Sequence, residues 1–360
     1  MMKFIDIIAG ARPNFIKIAP IIHSIIKDGN FSFRLIHTGQ HYDKNMSQNF
    51  FNQLDIPEPD INLEVGSGSQ ANQTAKIMVK YEDILLNSPK PYLCLVVGDV
   101  NSTMACSIVA KKLNIKVAHV EAGIRSFDLT MPEEINRIIT DSISDYFFTT
   151  SKHANKNLID AGFDKKNIFF VGNTMIDTLN KQKSNFKKPD FFEKLNLAKD
   201  NYLVLTMHRP KNVDDIDKLE QFINCIVSNT NNLKVIFPIH PRTKSVLNNF
   251  KSKNLILVPP LPYLEFNYLV NNSKCVITDS GGITEETTVM NIPCITLRDN
   301  TERPETISEG TNILAGTNPE NIISILKKLF LKQWKKGSIP ELWDGYASER
   351  IIKTLNELLK

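Results

Sequence analysis

The 360-residue chain is 42% hydrophobic, which supplies two cores of ordinary size rather than one. Its 43 basic and 39 acidic residues leave a formal charge of +4 with no basic arm or stripe, which excludes nucleic acid as the main partner. Five cysteines stand singly in apolar runs (Cys94, Cys106, Cys225, Cys275, Cys294), with no CxxC pair and no histidine cluster, so neither a disulfide framework nor a metal site is expected. The start MMKFIDIIAGARP lacks the basic head and long apolar segment of a signal peptide, and no run is long enough to span a bilayer. A cytoplasmic location without membrane partners is the expectation.

Short β-branched runs recur along the chain, each followed by a turn and a helical pattern. KFIDIIAG comes first, with a helix over Phe15 to Lys27 that stacks Ile18, Ile21, Ile22, Ile25 and Ile26 on one stripe. FRLIHTG, YLCLVVGD, KVAHVEAG, YFFTTS and IFFVGN complete a first series. Lys181 to Asp200 is lysine-rich, interrupted by Pro189, and reads as a linker. LVLTMH, KVIFPIHP, LILVPPL, CVITDSGG and PCITLR form the second series, and a last helix runs from about Tyr346 to Lys360. Strands alternating with amphipathic helices predict two doubly wound α/β domains, each with a parallel sheet buried on both faces. Ligands of such sheets bind beyond the carboxyl ends of the strands, so the chemistry is sought in those loops.

In the first series these loops hold Arg12 and Lys17 in GARPNFIK, Gln40 and His41 in TGQHYD, Asp99 in GDVNST, Glu121 in HVEAGIRS, and Glu133 in MPEEINR. Each could be a solvated loop residue or a helix cap. Their accumulation at one sheet edge instead suggests a cluster of acids, Asp99, Glu121 and Glu133, whose mutual repulsion yields an acid and a base near neutral pH. A C–H proton next to a leaving group suits such a pair. The second series offers His208 and Arg209, His240, Phe266 and Arg303. TDSGGITEETT adds a Gly-Gly turn opening a helix, with Glu285 and Glu286 expected in its first turn. Amides of Ser280, Gly281 and Gly282 with Arg303 and Arg12 suit a diphosphate, and Glu286 suits the hydroxyls of a ribose. A nucleoside diphosphate answers both halves of that pattern.

The ordered motifs GARPNFIKIAP, TGQHYD, VGDVNST, HVEAGIRS, PEEINR, VGNTMID, HRP, PIHPRT, TDSGGITEE and RDNTERPET resemble the bacterial non-hydrolysing UDP-N-acetylglucosamine 2-epimerases over about residues 3 to 325. The resemblance implies two Rossmann-like domains facing across a cleft, as in B-type glycosyltransferases. It divides the chain into a domain over 1–175 with the catalytic carboxylates, a UDP-binding domain over 176–340, and a helix over 341–360 crossing back to the first. It implies C2 epimerisation of UDP-GlcNAc to UDP-ManNAc, for surface polysaccharide synthesis, without cofactor or metal, through anti elimination of UDP to a 2-acetamidoglucal. Asp99, Glu121, Glu133 and His208 match the catalytic positions; Arg12, Lys17, His240, Phe266, Ser280, Gly281, Gly282, Glu286 and Arg303 match substrate contacts. Gln40 and His41 match a loop that binds an activating UDP-GlcNAc in several members, although VGSGSQANQTAK lacks the accompanying arginine and HRPKNVDD departs from the family's HRREN. A homodimer follows from the resemblance alone. Three alternatives stand beside this reading: an epimerase of a diacetamido or 6-deoxy UDP-sugar, a hydrolysing 2-epimerase, and a B-type glycosyltransferase.

Overall fold

The computed structural model describes residues 3–39, 51–213, 215–239, 247 and 252–359, without the side chains of 210, 211 and 218. Gln40, His41 and His240 lie outside the described residues. Two compact units form, Met1–Lys181 with Glu341–Lys360, and Gln182–Pro340.

The first unit contains β1 (Lys3–Ala9), α1 (Arg12–Asp28), β2 (Phe31–His37), β3 (Ile61–Asn62), α2 (Gln70–Asn87), β4 (Leu93–Val97), α3 (Asn101–Lys112) and β5 (Lys116–Val120). It continues through α4 (Pro132–Ile143), β6 (Tyr146–Thr149), α5 (Lys152–Asp160), β7 (Ile168–Phe170) and α6 (Thr174–Gln182). The strands are parallel in the order β3-β2-β1-β4-β5-β6-β7. β4 shows why the pattern reads as one continuous apolar run. Leu93, Leu95 and Val97 join the core under α1, while Cys94 and Val96 join the core under α2 and α3. α1 starts at Arg12, earlier than its apolar stripe suggests, because Pro13 fits a helix's first turn; Pro20 lies inside it, and Gly29 ends it at φ 72°.

The second unit contains β8 (Tyr202–Thr206), α7 (Ile216–Ser228), β9 (Lys234–Pro238), β10 (Leu255–Val258), α8 (Tyr263–Asn271), β11 (Cys275–Thr278), α9 (Gly281–Met290), β12 (Cys294–Thr296), β13 (Asn312–Leu314) and α10 (Pro319–Phe330). Its parallel order is β10-β9-β8-β11-β12-β13. The fold class is therefore the one read from the sequence, two doubly wound α/β units. All eleven expected strands are present, and β3 and β13, too short to leave a pattern, pair at sheet edges.

In both sheets the strand order reverses, between β1 and β4 and between β8 and β11. At such a reversal the loops leaving the adjacent strands turn to opposite faces of a doubly wound sheet, which is where these folds take ligands. Residues 10–14 and 98–101 flank the first switch point, and 207–212 and 279–282 the second.

The closing helix α11 (Ala347–Leu358) packs on α1, where Ser24 Oγ donates to Ser348 Oγ at 3.1 Å. Its first amides, Ala347 N and Ser348 N, donate to the buried carboxylate of Asp177 at 3.1 and 2.7 Å. Trp343, 1% exposed, anchors the approach by donating from Nε1 to Thr150 O. Asp177→Ala removes the acceptor for both amides, and the expected outcome is a loss of about 1–2 kcal/mol, read as a lowered thermal midpoint.

Candidate active site

At the first unit's switch point the backbone is shaped by two glycines and an asparagine. A Cβ on Gly10 would stand 2.1 Å from Ser102 Oγ, so β1's exit can pass α3 only as glycine. Asn14, 2% exposed, accepts from Gly10 N and Ala11 N at 3.1 and 2.9 Å and donates to Val97 O, tying the β1 exit to β4. Gly98, at φ 72°, has Lys17 Nζ 3.3 Å and Glu121 Oε2 3.7 Å from where its Cβ would be. The bare backbone there makes room for an ion pair between Lys17, 6% exposed, and Glu121, 4% exposed.

Glu121 leaves β5 with φ 71°, a left-handed conformation that is costly for a residue with a Cβ and is held by its N–H bond to Phe148 O at 2.9 Å. Asp99 pairs with Arg137, a wholly buried guanidinium on α4. Asn136 of the same helix donates to Asp99 O at 2.9 Å. Glu133 sits one turn before Arg137 on the same face of α4, half-buried, with no ion pair among the described residues. Its neighbour Glu134 is structural: it accepts from Ser126 N, Ser126 Oγ and Phe127 N.

Two of the three acids expected at this edge are thus paired with cations. Lys17 and Arg137 neutralise Glu121 and Asp99, because a buried acid is far cheaper beside a cation than beside another acid. Lys17 serves here as that counter-ion, while Arg12 is exposed at the start of α1. Behind them His119, fully buried, donates from Nε2 to Gly98 O at 2.8 Å and meets Asp141 Oδ1 through Nδ1 at 2.7 Å. Burial opposes ionisation of Asp141, but His119 and Arg125 outweigh it and hold that carboxyl below its usual range.

In the second unit the opening glycines start α9, so Glu285 and Glu286 fall in its second turn rather than its first. The amides of Gly281 and Gly282 belong to the first turn and lack helical acceptors. Arg303 Nη1 lies 3.0 Å from where a Gly281 Cβ would be, setting a guanidinium beside the start of α9. Arg303 is itself 5% exposed, held by Glu285 Oε1 and Glu302 Oε2, both at 2.8 Å. Arg298 Nη2 reaches the other oxygen of Glu302 at 2.8 Å.

Burial pushes the Glu286 carboxyl up to about 7, against the lowering effect of a hydrogen bond from Tyr263 Oη at 2.9 Å. Burial likewise pushes Glu305 up to about 7; neither of its oxygens finds a hydrogen bond among the described residues. Phe266, on α8, is partly buried against the core beneath that helix. His208 follows β8 with its side chain 63% exposed, and its Nδ1 meets Asp279 Oδ1 at 2.7 Å.

The UDP-N-acetylglucosamine 2-epimerase family model matches residues 23–356. The chain belongs to that family. The UDP-N-acetylglucosamine 2-epimerase of Methanocaldococcus jannaschii is 42% identical over 98% of this chain and 98% of its own length. The crystal structure of the M. jannaschii UDP-GlcNAc 2-epimerase in complex with UDP-GlcNAc and UDP superposes with a TM-score of 0.88, at 41% identity over 98% of this chain and 99% of that one. A UDP-2,3-diacetamido-2,3-dideoxy-D-glucuronate 2-epimerase of Pseudomonas aeruginosa is 38% identical over 99% of this chain and 100% of its own.

Membership of the UDP-N-acetylglucosamine 2-epimerase family makes the chain an enzyme. Four groups that build its two switch points were not singled out from the sequence: Asn14, Asp141, Asp279 and Glu305. Asp279 stands one residue before Ser280 and the Gly-Gly pair, inside the TDSGG motif, so position alone could have flagged it. Asp141, inside α4 with no motif around it, left no such signal.

Proposed function

We propose that the chain interconverts the C2 epimers of a UDP-N-acetylhexosamine, UDP-GlcNAc and UDP-ManNAc, with UDP recaptured rather than lost to water. The reaction removes the C2 proton, breaks the C1–O bond to UDP in an anti sense, and passes through a 2-acetamidoglucal. A proton then returns to the opposite face of C2 and UDP re-adds at C1. The observation that carries the reading is the α9 entrance, where Arg303 lies against Gly281, the first-turn amides of Gly281 and Gly282 open the helix, and a buried carboxyl, Glu286, follows one turn later. That arrangement suits a diphosphate and the ribose diol beside it.

In this reading Ser280, Gly281, Gly282, Arg303, Glu286, Phe266, His240 and Arg12 hold the nucleotide. Asp99, Glu121 and Glu133 serve the proton at C2, Lys17 sets the charge of Glu121, and His208 meets the departing UDP. The carboxylates favour epimerisation over glycosyl transfer, which does not call for them. A homodimer is the proposed assembly, checked by sedimentation velocity.

Proton NMR in deuterium oxide tests the reading. Solvent deuterium at C2 with UDP still attached is the expected result; free sugar would mean a hydrolase, and an unexchanged C2 would remove both. The Pseudomonas relative favours a second substrate reading, a diacetamido UDP-sugar. Running the same exchange on both sugars ranks them by kcat/KM.

The ribose contact carries a pH signature. The folded value of Glu286, about 7, lies above the ordinary 4.5, so the native apo protein keeps a proton that the unfolded chain has released. Stability is therefore fully present at low pH and is lost as pH rises through about 7. Ionised Glu286 accepts from both ribose hydroxyls, so KM for UDP-GlcNAc is expected to fall over the same window. Glu286→Gln should flatten both curves, measured by melting and by initial rates.

A further inference from the structure

His208 and the diphosphate cradle are joined by one side chain. Asp279, fully buried at the end of β11, is the residue before Ser280 and so fixes the start of α9. Its carboxylate turns the other way, to the β8 exit. There it accepts from His208 N at 3.2 and 3.0 Å, from Arg209 N at 3.0 Å and from Asn212 Nδ2 at 3.1 Å. Its backbone oxygen accepts from Arg209 Nε at 3.1 Å.

The remaining partner is the His208 ring, whose Nδ1 stands 2.7 Å from Asp279 Oδ1. A carboxylate can only accept, so Nδ1 must carry a hydrogen. Burial alone would raise Asp279, but the bonds from His208, Arg209 and Asn212 hold it below the usual carboxyl range, hence ionised at neutral pH. With Nδ1 engaged and the side chain 63% exposed, Nε2 is left on the open edge of the ring. It makes no hydrogen bond among the described residues.

We propose that Asp279 is the positioning residue of His208, fixing the ring with Nδ1 protonated so that Nε2 alone exchanges a proton or hydrogen bond with the substrate beside the diphosphate cradle. When UDP departs, charge develops on the phosphate oxygen that was bonded to C1. The ring in its protonated form meets that charge with Nε2–H, the Asp279 carboxylate balances the ring cation from behind, and passing the proton to the phosphate oxygen leaves the neutral Nδ1–H ring. The same carboxylate, by bracing the turn into α9, keeps the donor and the phosphate-binding amides in one rigid piece.

The inference rests on His208 meeting the substrate, and the test separates the two. Protein labelled with 15N in its histidine rings is examined by long-range proton–nitrogen NMR, with His208 assigned by its absence in His208→Gln. The expected neutral form is Nδ1–H with an unprotonated Nε2. In Asp279→Asn the carboxamide donates to Nδ1 and the ring inverts to Nε2–H. That variant should lose at least about 100-fold in kcat, as wrong-tautomer variants do. UDP affinity should be kept or raised, since a negative charge near the diphosphate is gone. Asn212→Ala, which removes another bond to the same carboxylate, should lower the thermal midpoint yet keep the Nδ1–H form. An Nε2–H ring in the unaltered protein, or Asp279→Asn with full kcat while His208→Gln is inactive, would overturn the inference. A fully active His208→Gln would instead overturn the role of His208 under the proposed function.

Discussion

Asp99→Asn and Glu121→Gln are each expected to lower kcat by at least about 100-fold, the scale of losing a positioned acid or base. The structure gives each a second consequence. Lys17 and Arg137 are buried and take their counter-charge from Glu121 and Asp99. The amide keeps the shape but strands the cation, so a lowered thermal midpoint should accompany the loss of rate, more for Glu121→Gln, because both members of the Lys17–Glu121 pair are below 9% exposed. Rates are therefore compared at temperatures where circular dichroism shows each variant folded. Folded variants with rates near that of the unaltered chain would dismiss the catalytic assignment. Glu134→Gln is the contrast: it loosens the Ser126–Phe127 turn and should cost stability first.

Arg303→Met should be the most damaging single change in the second unit. The guanidinium is 5% exposed and neutralises Glu285 and Glu302, with Glu305 also close enough to feel its charge. Removing it takes a cation from beside buried Glu285 and leaves Glu302 to Arg298, a loss of about 3–5 kcal/mol on the scale of broken buried pairs. UDP binding should fall with it, since the cation beside the start of α9 is gone. The stability loss has a direction in pH. Stranded carboxylates have raised folded values and hold protons the unfolded chain releases, so Arg303→Met should regain stability as pH falls. Adding Glu305→Gln should restore part of the loss at neutral pH. A variant that melts like the unaltered chain at neutral pH would show that the cluster carries no such strain.

The two changes probe different kinds of legibility. The strands could be read because a parallel sheet covered on both faces needs unbroken β-branched runs, and every run of that kind became a strand. β3 and β13 escaped because two or three residues leave no period. Helix α1 was read short by the residues GARPN, which carry a turn and a helix start at once. Among the site groups, the strand-end position of Asp99, Glu121 and His208 was visible as soon as the strands were, since loops after parallel strands are where such folds place ligands.

The sequence by itself determined the class of fold, the edge at which the chemistry sits and, through the order of its motifs, the family. Those depend on local period and on residues adjacent in the chain, which any folded state must respect. Only the tertiary structure decided which charge faces which: Lys17 beside Glu121, Arg137 beside Asp99, Arg303 between Glu285 and Glu302, and Asp279 behind His208. The physical reason is that ion pairing is settled by a few ångströms between side chains from distant segments, and at those distances desolvation penalises an unpaired charge more than any local preference can offset.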